Sequence, residues 1–375
     1  MNGPLLEYHK QFSERLQIFV DKEEIIGRYF GDEFIILLKE ESAEKLQYRI
    51  QQLWLETSTE MIIKENEYRL KVSMGVATSD SFQIDIETMI NEANISKLQA
   101  KKVGGNRFQF YDTKMAKIIN FEQEVENALY HAIENSELYL VYQPIVDINT
   151  NKIVGTEALI RWNNQRFSDV SIPKLIEIAE QSGLIIDIGK WVLTEALRQN
   201  KFWQNAGFKP MFVSVNISVL QFDQANFIDI VGQAVREIGI APKYIELEIT
   251  ESTAMAVVTE KLEKMQRLKE MGINIAIDDF GTGYSSLAYF TKFPISTLKI
   301  DRSFVKDISN DESAKTVITT IISLAKAIGI STTAEGVEYE DQKQFLKEMG
   351  CVKMQGYLIS KPVGAEKLEQ LLEKI

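Results

Sequence analysis

Through the second part of the chain, short runs alternate apolar and polar residues, and most end on an acid, an amide or a lysine. In VSVNIS, Val213, Val215 and Ile217 share one face, and Ser214, Asn216 and Ser218 the other. IELEIT sets Ile245, Leu247 and Ile249 against Glu246, Glu248 and Thr250. INIAIDD sets Ile273, Ile275 and Ile277 against Asn274, Ala276 and Asp278, and Asp279 follows. STLKID, TAEGVE, KMQGY and KIVGTEALIRW repeat the habit and bring Lys299, Asp301, Glu335, Gln355 and Glu157. A period of two over four to eight residues predicts strands. Stretches of helical spacing separate them, and that alternation predicts βα units with parallel strands. The first part reads differently. It shows a helix-like stretch at 5–20, the run GRYFGDEFIILL, an amphipathic helix at 43–56 and a strand pair around EYRLKVSMGVAT. A helix near 86–102 and a turn at Gly104-Gly105-Asn106 follow. Residues 113–136 read as a connecting helix, with apolar positions at Met115, Ile118, Ile119, Val125, Leu129 and Ile133. The expected division is therefore 1–112, a connector at 113–136, and 137–375.

One acid after one strand is ordinarily a turn or cap residue. Repetition gives it another meaning. If the strands close into a barrel, the apolar face meets the outer helices and the C-terminal strand ends converge on one mouth. Glu157, Asn216, Glu248, Asp278, Asp279 and Glu335 would then meet in one small volume. Five carboxylates there repel one another and raise each other's pKa unless cations join them. Oxygen ligands with retained water suit Mg²⁺ or Mn²⁺. Lys299 adds a fixed positive charge. Paired metals beside a lysine are equipment for in-line attack on a phosphodiester. The plainer alternative is a buried ion-pair network without catalysis.

Composition narrows the chemistry. The 375 residues are 45% hydrophobic, ordinary for a protein with a real core, and allow two or three domains. A net charge of −12 argues against nucleic-acid polymers as partners. The single cysteine, Cys351, cannot form an internal disulfide and reads as a small buried apolar residue. Only His9 and His131 exist, which removes most zinc sites and Ser-His-Asp triads. No apolar run has the length of a membrane span, and the first residues lack a signal-peptide pattern. A cytoplasmic location is expected.

The segments GTEALIRW, VNIS, ELEITES, IAIDDFGTGYSSL, LKID, TAEGVE and MQGYLISKP, in this order and spacing, closely resemble the EAL-domain phosphodiesterases specific for cyclic di-GMP. The resemblance spans about residues 120–375 and implies a TIM-like (βα) barrel with a two-metal site. By resemblance, Glu157, Asn216, Glu248 and Asp278 hold the first metal. Asp279 holds the second, with Asp278 shared, and Glu335 holds a metal and is the general-base candidate. Lys299 positions the attacking water and balances charge. Gln143, Arg161 and Gln355 contact substrate and water, and Glu251 pins the DDFGTG loop, which contributes to the family's dimer interface. A homodimer through the barrel domain is therefore expected. The product would be linear pGpG. Ile359, before SKP, stands where many members carry an aromatic residue; no catalytic position is lost.

In the first part, Phe30-Gly31-Asp32-Glu33-Phe34, VSMGVAT and NEANISKLQAKKVGGNRFQFY resemble GGDEF diguanylate cyclases. Phe30 replaces a family glycine, and only 29 residues precede the motif, so the family's first strand and helices have no counterpart. The inhibitory motif upstream is replaced by Asp21-Lys22-Glu23-Glu24. The resemblance thus implies a partial α+β domain without cyclase activity, serving as a structural or dimerisation module or as a regulatory nucleotide site. A fragment of a longer sensor protein would look the same. For the whole chain, the alternatives to an active hydrolase are a catalytically silent cyclic di-GMP receptor and a bifunctional cyclase–hydrolase.

Overall fold

The computed structural model describes residues 4–40, 42–63, 66–79, 85–255, 258–281, 292–309 and 311–373. Its internal packing divides the chain into two units, Met1–Glu124 and Val125–Ile375, with the helix Thr113–Tyr130 running across the division.

The first unit opens with the helix Pro4–Gln17, followed by β1 (Ile25–Phe30) and β2 (Glu33–Leu37), which pair antiparallel. Gly31 takes the left-handed conformation at the turn (φ 58°), so the positive φ falls on a glycine and Phe30 keeps ordinary strand geometry. The helix Ala43–Thr57 follows, capped by the Ser42 hydroxyl on the Lys45 amide. The strand pair expected around EYRLKVSMGVAT divides differently. β3 (Glu60–Ile63) pairs antiparallel with β4 (Asn66–Arg69), whereas β5 (Met74–Val76) pairs parallel with β6 (Phe108–Phe110). Between β5 and β6 lies the helix Ile86–Lys102, pressed so closely on Gly75 that a Cβ there would meet the Ala93 carbonyl at 1.8 Å. The two strands of that run thus pair with different partners, β4 with β3 and β5 with β6 across a β–helix–β crossover. Phe12, Leu16, Leu53 and Met61 form this unit's buried centre.

The second unit is a closed barrel of eight strands in chain order: β7 (Leu138–Asp147), β8 (Ile153–Trp162), β9 (Phe212–Asn216), β10 (Ile245–Thr250), β11 (Asn274–Phe280), β12 (Thr297–Ile300), β13 (Ser331–Ala334) and β14 (Lys353–Met354). β8 to β14 are parallel. β7 departs from the all-parallel expectation and runs antiparallel to both neighbours. Its link to β8 is a tight turn. The Asp147 carboxylate accepts from the Asn149 and Thr150 amides, and Asn151 sits at φ 56°. A connection this short permits only a hairpin.

The strands' apolar faces point outward, as their pattern predicts. Val213, Val215, Leu247, Ile249, Ile275 and Ile277 join one continuous core with the surrounding helices. Those helices supply the matching stripe. In Glu312–Ile328, Ile318, Ile321, Ile322 and Ala325 are buried at helical spacing. The same helix starts at the Asp311 cap and stops at left-handed Gly329. Among the described residues, no helix is long and apolar enough to cross a membrane.

Candidate active site

The polar faces of the strands point to the barrel axis in two layers. The lower layer joins Glu246 to the hydroxyls of Ser214 (2.9 Å) and Thr297 (2.8 Å), with Lys353 Nζ 3.2 Å from Thr297 and 3.8 Å from Glu246. Above it, two residues further along β10, lies the cluster with the chemistry.

Lys299, on β12, is the hub and is 1% exposed. Its Nζ stands 2.6 Å from Glu248, 2.5 Å from Glu335, 3.3 Å from Asp278 and 3.9 Å from Glu157. Four carboxylates from β8, β10, β11 and the end of β13 thus face one ammonium, leaving a surplus of negative charge in a buried space. Burial pushes Glu248 well above the usual carboxylate range; Lys299 opposes that shift, and Glu157, Asp278 and Glu335 reinforce it. Burial likewise lifts Glu335 to about 8, with Lys299 opposing and Asp278 and Glu157 adding to the rise. For Lys299 burial works against the charge, but Asp278, Glu157, Glu248 and Glu335 outweigh it and hold its pKa well above that of a free lysine.

A chain of amides flanks the carboxylates. Asn216 donates to Glu157 Oε1 (2.7 Å), and Gln355 donates to Glu157 Oε2 (2.6 Å) and to Gln143 Oε1 (2.9 Å). Gln143 in turn donates to the Ser360 carbonyl (3.1 Å). Of the residues the sequence pointed to, Glu157, Asn216, Glu248, Asp278, Lys299, Glu335, Gln143 and Gln355 are therefore in mutual contact. Arg161 is not among them. It stands further along β8 with Nη1 on the Ile160 carbonyl (2.7 Å).

Asp279 owes its place to a feature the alternating pattern does not show. β11 is in register with β12 at Ile277↔Leu298 and again at Phe280↔Ile300, so it carries one extra residue between them. That bulge falls on Asp278-Asp279, and Asp279 adopts φ 55°, unusual for a residue with a side chain. Its carboxyl is pushed up to about 6, first by burial, then by Asp278 and Asp301. Asp301, beside Asp279 and capping the helix Arg302–Lys306 through Ser303, is an acid the sequence reading placed on a strand end but gave no role. Behind the bulge, Glu251 Oε2 accepts from the Gly281 amide (2.9 Å). Residues 282–291, the rest of the DDFGTG loop and the expected dimer segment, lie outside the described residues.

The donor set fits hard divalent cations in its chemistry. It offers carboxylate and amide oxygens, with no imidazole or thiolate. Glu248 Oε1, Glu335 Oε1 and Gln355 Oε1 are buried oxygen acceptors without a hydrogen-bond donor. Glu335 Oε1, although 2.5 Å from Lys299 Nζ, is not aligned as a hydrogen-bond acceptor. Among the described residues no group of three or more acidic, histidine or cysteine side chains is arranged so that it could hold a metal ion as it stands; here the four carboxylates are gathered on the Lys299 ammonium.

The EAL domain family model matches residues 126–362, and the model for the diguanylate cyclase GGDEF domain matches residues 7–107. Among relatives, the chain is 36% identical over 366 residues to the bifunctional diguanylate cyclase/cyclic di-GMP phosphodiesterase MucR of Pseudomonas aeruginosa, covering 96% of this chain and 52% of that protein. It is 31% identical over 363 residues to the cyclic di-GMP phosphodiesterase NbdA of the same organism, covering 97% of this chain and 46% of that protein. The chain thus spans about half the length of these relatives. A solved structure of the PaMucR phosphodiesterase in complex with c-di-GMP superposes with a TM-score of 0.64 at 39% identity, covering 65% of this chain and 99% of that one. The barrel, its order of strands and the matched segments lead to one assignment: the chain belongs to the EAL domain family, with a GGDEF domain preceding the EAL barrel.

Proposed function

We propose that the barrel hydrolyses cyclic di-GMP to linear pGpG with the help of divalent cations. The observation carrying this reading is the convergence of Glu157, Glu248, Asp278 and Glu335 on Lys299 at one end of the barrel. Glu157, Asn216, Glu248, Asp278, Asp279 and Glu335 would hold Mg²⁺ or Mn²⁺. When bound, the cations would supply Lewis-acid polarisation of a phosphate oxygen and a lowered water pKa. The chain's own groups do the rest. Gln143 and Gln355, linked to Glu157, present amides to the substrate and the attacking water. Arg161, already on the same strand as Glu157, turns its guanidinium to a phosphate. Glu335, with a proton affinity raised toward neutrality, accepts the proton of the attacking water. Lys299 stays charged and stabilises the negative charge that develops as the ribose 3′ oxygen leaves.

The silent-receptor reading has one observation in its favour. Lys299 already contacts all four carboxylates and offsets part of their charge, an arrangement that a binding site without catalysis could also use. Incubating the purified chain with cyclic di-GMP and Mg²⁺ and resolving the products by chromatography separates the two. Formation of pGpG supports the hydrolase; binding of cyclic di-GMP without product supports the receptor.

The GGDEF domain, in this reading, contributes no cyclase activity. Phe30, at the family's glycine position, is 80% exposed at the hairpin tip, where a nucleotide would have to approach the backbone. Accumulation of cyclic di-GMP from GTP would overturn this part of the proposal. The chain works in the cytoplasm, as a homodimer through the barrel domain.

A further inference from the structure

Two lysines of the helix Val258–Glu270 are buried away from the acidic cluster, and the reaction outlined above does not use them. Lys264 Nζ touches three carbonyls, those of Phe222 (2.9 Å), Asp223 (3.0 Å) and Gln224 (3.2 Å), and lies 3.6 Å from Glu260. This is a lysine satisfying the end of the short helix Val219–Asp223. Lys261, one turn away and 4% exposed, does something different. Its Nζ donates to the Thr253 carbonyl (3.0 Å) and pairs with the Asp223 carboxylate (3.1 Å). It therefore ties together the segments that follow β9 and β10.

Both segments lead directly into the site. The 218–224 segment follows Asn216 by two residues. Thr253 lies two residues after Glu251, whose carboxylate holds the Gly281 amide, and Gly281 lies two residues after Asp279. Gly281 has little room to move on its other side, since a Cβ there would stand 3.1 Å from Phe304 and 3.3 Å from Ile321. Burying an ammonium costs free energy unless every bond is satisfied. Here that cost secures the backbone from which Glu251 reaches the bulge.

We propose that Lys261 is a positioning residue: by fixing the Glu251 segment from below, it holds the bulge that carries Asp278 and Asp279. This rests on the hydrolase reading only in its consequence for metal binding. The holding of the bulge is a statement about the ligand-free fold.

Hydrogen–deuterium exchange on the ligand-free full chain tests it. In Lys261→Met, the amides of 251–255 and of Gly281 exchange at least about tenfold faster, while the helix Glu312–Ile328 keeps its protection. Lys261→Arg, which restores a donor cation, restores protection. Ile178→Val, a buried change on the helix Ile172–Ser182 that packs against β8, serves as a control of lowered melting temperature and leaves Gly281 protected. Unchanged exchange at Gly281, or a uniform rise across the barrel equal to that of the control, overturns the proposal. If Lys261→Met does not fold, Lys261→Gln replaces it; failure of both makes Lys261 a residue of the fold and also overturns it. Mn²⁺ titration of the same proteins then reads the consequence, a loss of affinity of about tenfold or more. Wild-type protein that binds no Mn²⁺ refutes the metal-dependent hydrolase, while the exchange data still decide for or against the clamp.

Discussion

Lys299 Nζ and Glu248 Oε2 are 2.6 Å apart at the centre of the barrel, with both side chains almost wholly withdrawn from solvent. The pair cannot be read alone, because Glu335, Asp278 and Glu157 share the same ammonium. Removing the lysine leaves four acids with no cation among them. Breaking a buried pair from one side costs about 3–5 kcal/mol. Lys299→Met is expected to unfold more readily than wild type at pH 8 and to recover much of the difference at pH 5.5, where the acids take up protons. Its turnover of cyclic di-GMP falls by about 10²–10³. Thermal melts at the two pH values and an initial-rate assay check both, and a variant as stable and as active as wild type would refute the hub assignment.

The sign of the pH effect follows from Glu335. Its pKa rises from 4.5 unfolded to about 8 folded, through burial first. A raised carboxyl pKa means that the fold prefers the protonated acid. Its contribution to stability is thus fully present below about 4.5 and is lost as pH rises through about 8. Glu248 acts in the same direction. Metal-free protein, prepared with a chelator, is therefore expected to melt at progressively lower temperature between pH 5 and pH 8. Added Mg²⁺ raises the melting temperature more at pH 8 than at pH 5, since only the ionised acids bind it. Equal Mg²⁺ effects at both values would count against the cluster as the metal site.

Asp279 carries a backbone cost along with its carboxylate, because its φ of 55° lies in the left-handed region. Asparagine tolerates that region; a β-branched residue does not. Asp279→Asn is expected to keep the wild-type melting temperature while losing Mn²⁺ affinity and turnover. Asp279→Val loses both function and about 1–2 kcal/mol of stability. Denaturant unfolding of the two variants separates the conformational effect from the chemical one. A valine variant no less stable than the asparagine variant would show that the bulge is not fixed as described.

Alternation of side chains was enough to place Glu157, Glu248, Asp278 and Lys299 on one face, because a strand of period two has no other way to arrange them. It was also enough to show that their apolar neighbours face the helices. Four features escaped it. The hairpin of β7 and β8 was signalled only by the Asp147–Asn151 turn chemistry, which is local and polar, whereas the βα pattern is long and apolar. The bulge at Asp278-Asp279 is a register event between two strands, and one strand's sequence does not contain its partner's register. In the first unit, β5 finds its partner β6 across the helix Ile86–Lys102, a non-local pairing that the nearby run EYRL concealed. The role of Lys353 was likewise hidden, since a lysine in a two-residue strand has no pattern to mark it as interior.

Glu157 and Asp278 differ in surroundings although both are proposed ligands. Glu157 is braced by Asn216 and Gln355, so Glu157→Ala takes this acceptor from Asn216 and one of two acceptors from Gln355. Asp278 faces Lys299 and accepts from the Asp279 amide. Both alanine variants are expected to abolish turnover with circular dichroism unchanged. Glu157→Ala is the less stable of the two, by about 1–3 kcal/mol, because buried Gln355 loses a charged hydrogen-bond acceptor. Measurable turnover in either would overturn the ligand assignment.

The lower layer permits a test of whether stability and chemistry are separable in this barrel. Glu246 and Lys353 are buried 3.8 Å apart and are joined through Thr297. Lys353→Met leaves the Glu246 carboxylate with two hydroxyl donors and no cation, which is expected to cost about 3 kcal/mol, the lower end for a broken buried pair. Adding Glu246→Gln removes the stranded charge, so the double variant regains most of that loss. Among the described residues, none of Ser214, Glu246, Thr297 and Lys353 hydrogen-bonds the proposed substrate contacts Gln143, Gln355 and Arg161, so KM for cyclic di-GMP is expected to stay at its wild-type value in both variants. Urea unfolding of the single and double variants gives the coupling energy, and the rate assay gives KM. A double variant no more stable than Lys353→Met would mean that the lysine acts through packing on Phe212, 4.8 Å from its ammonium, and not through charge.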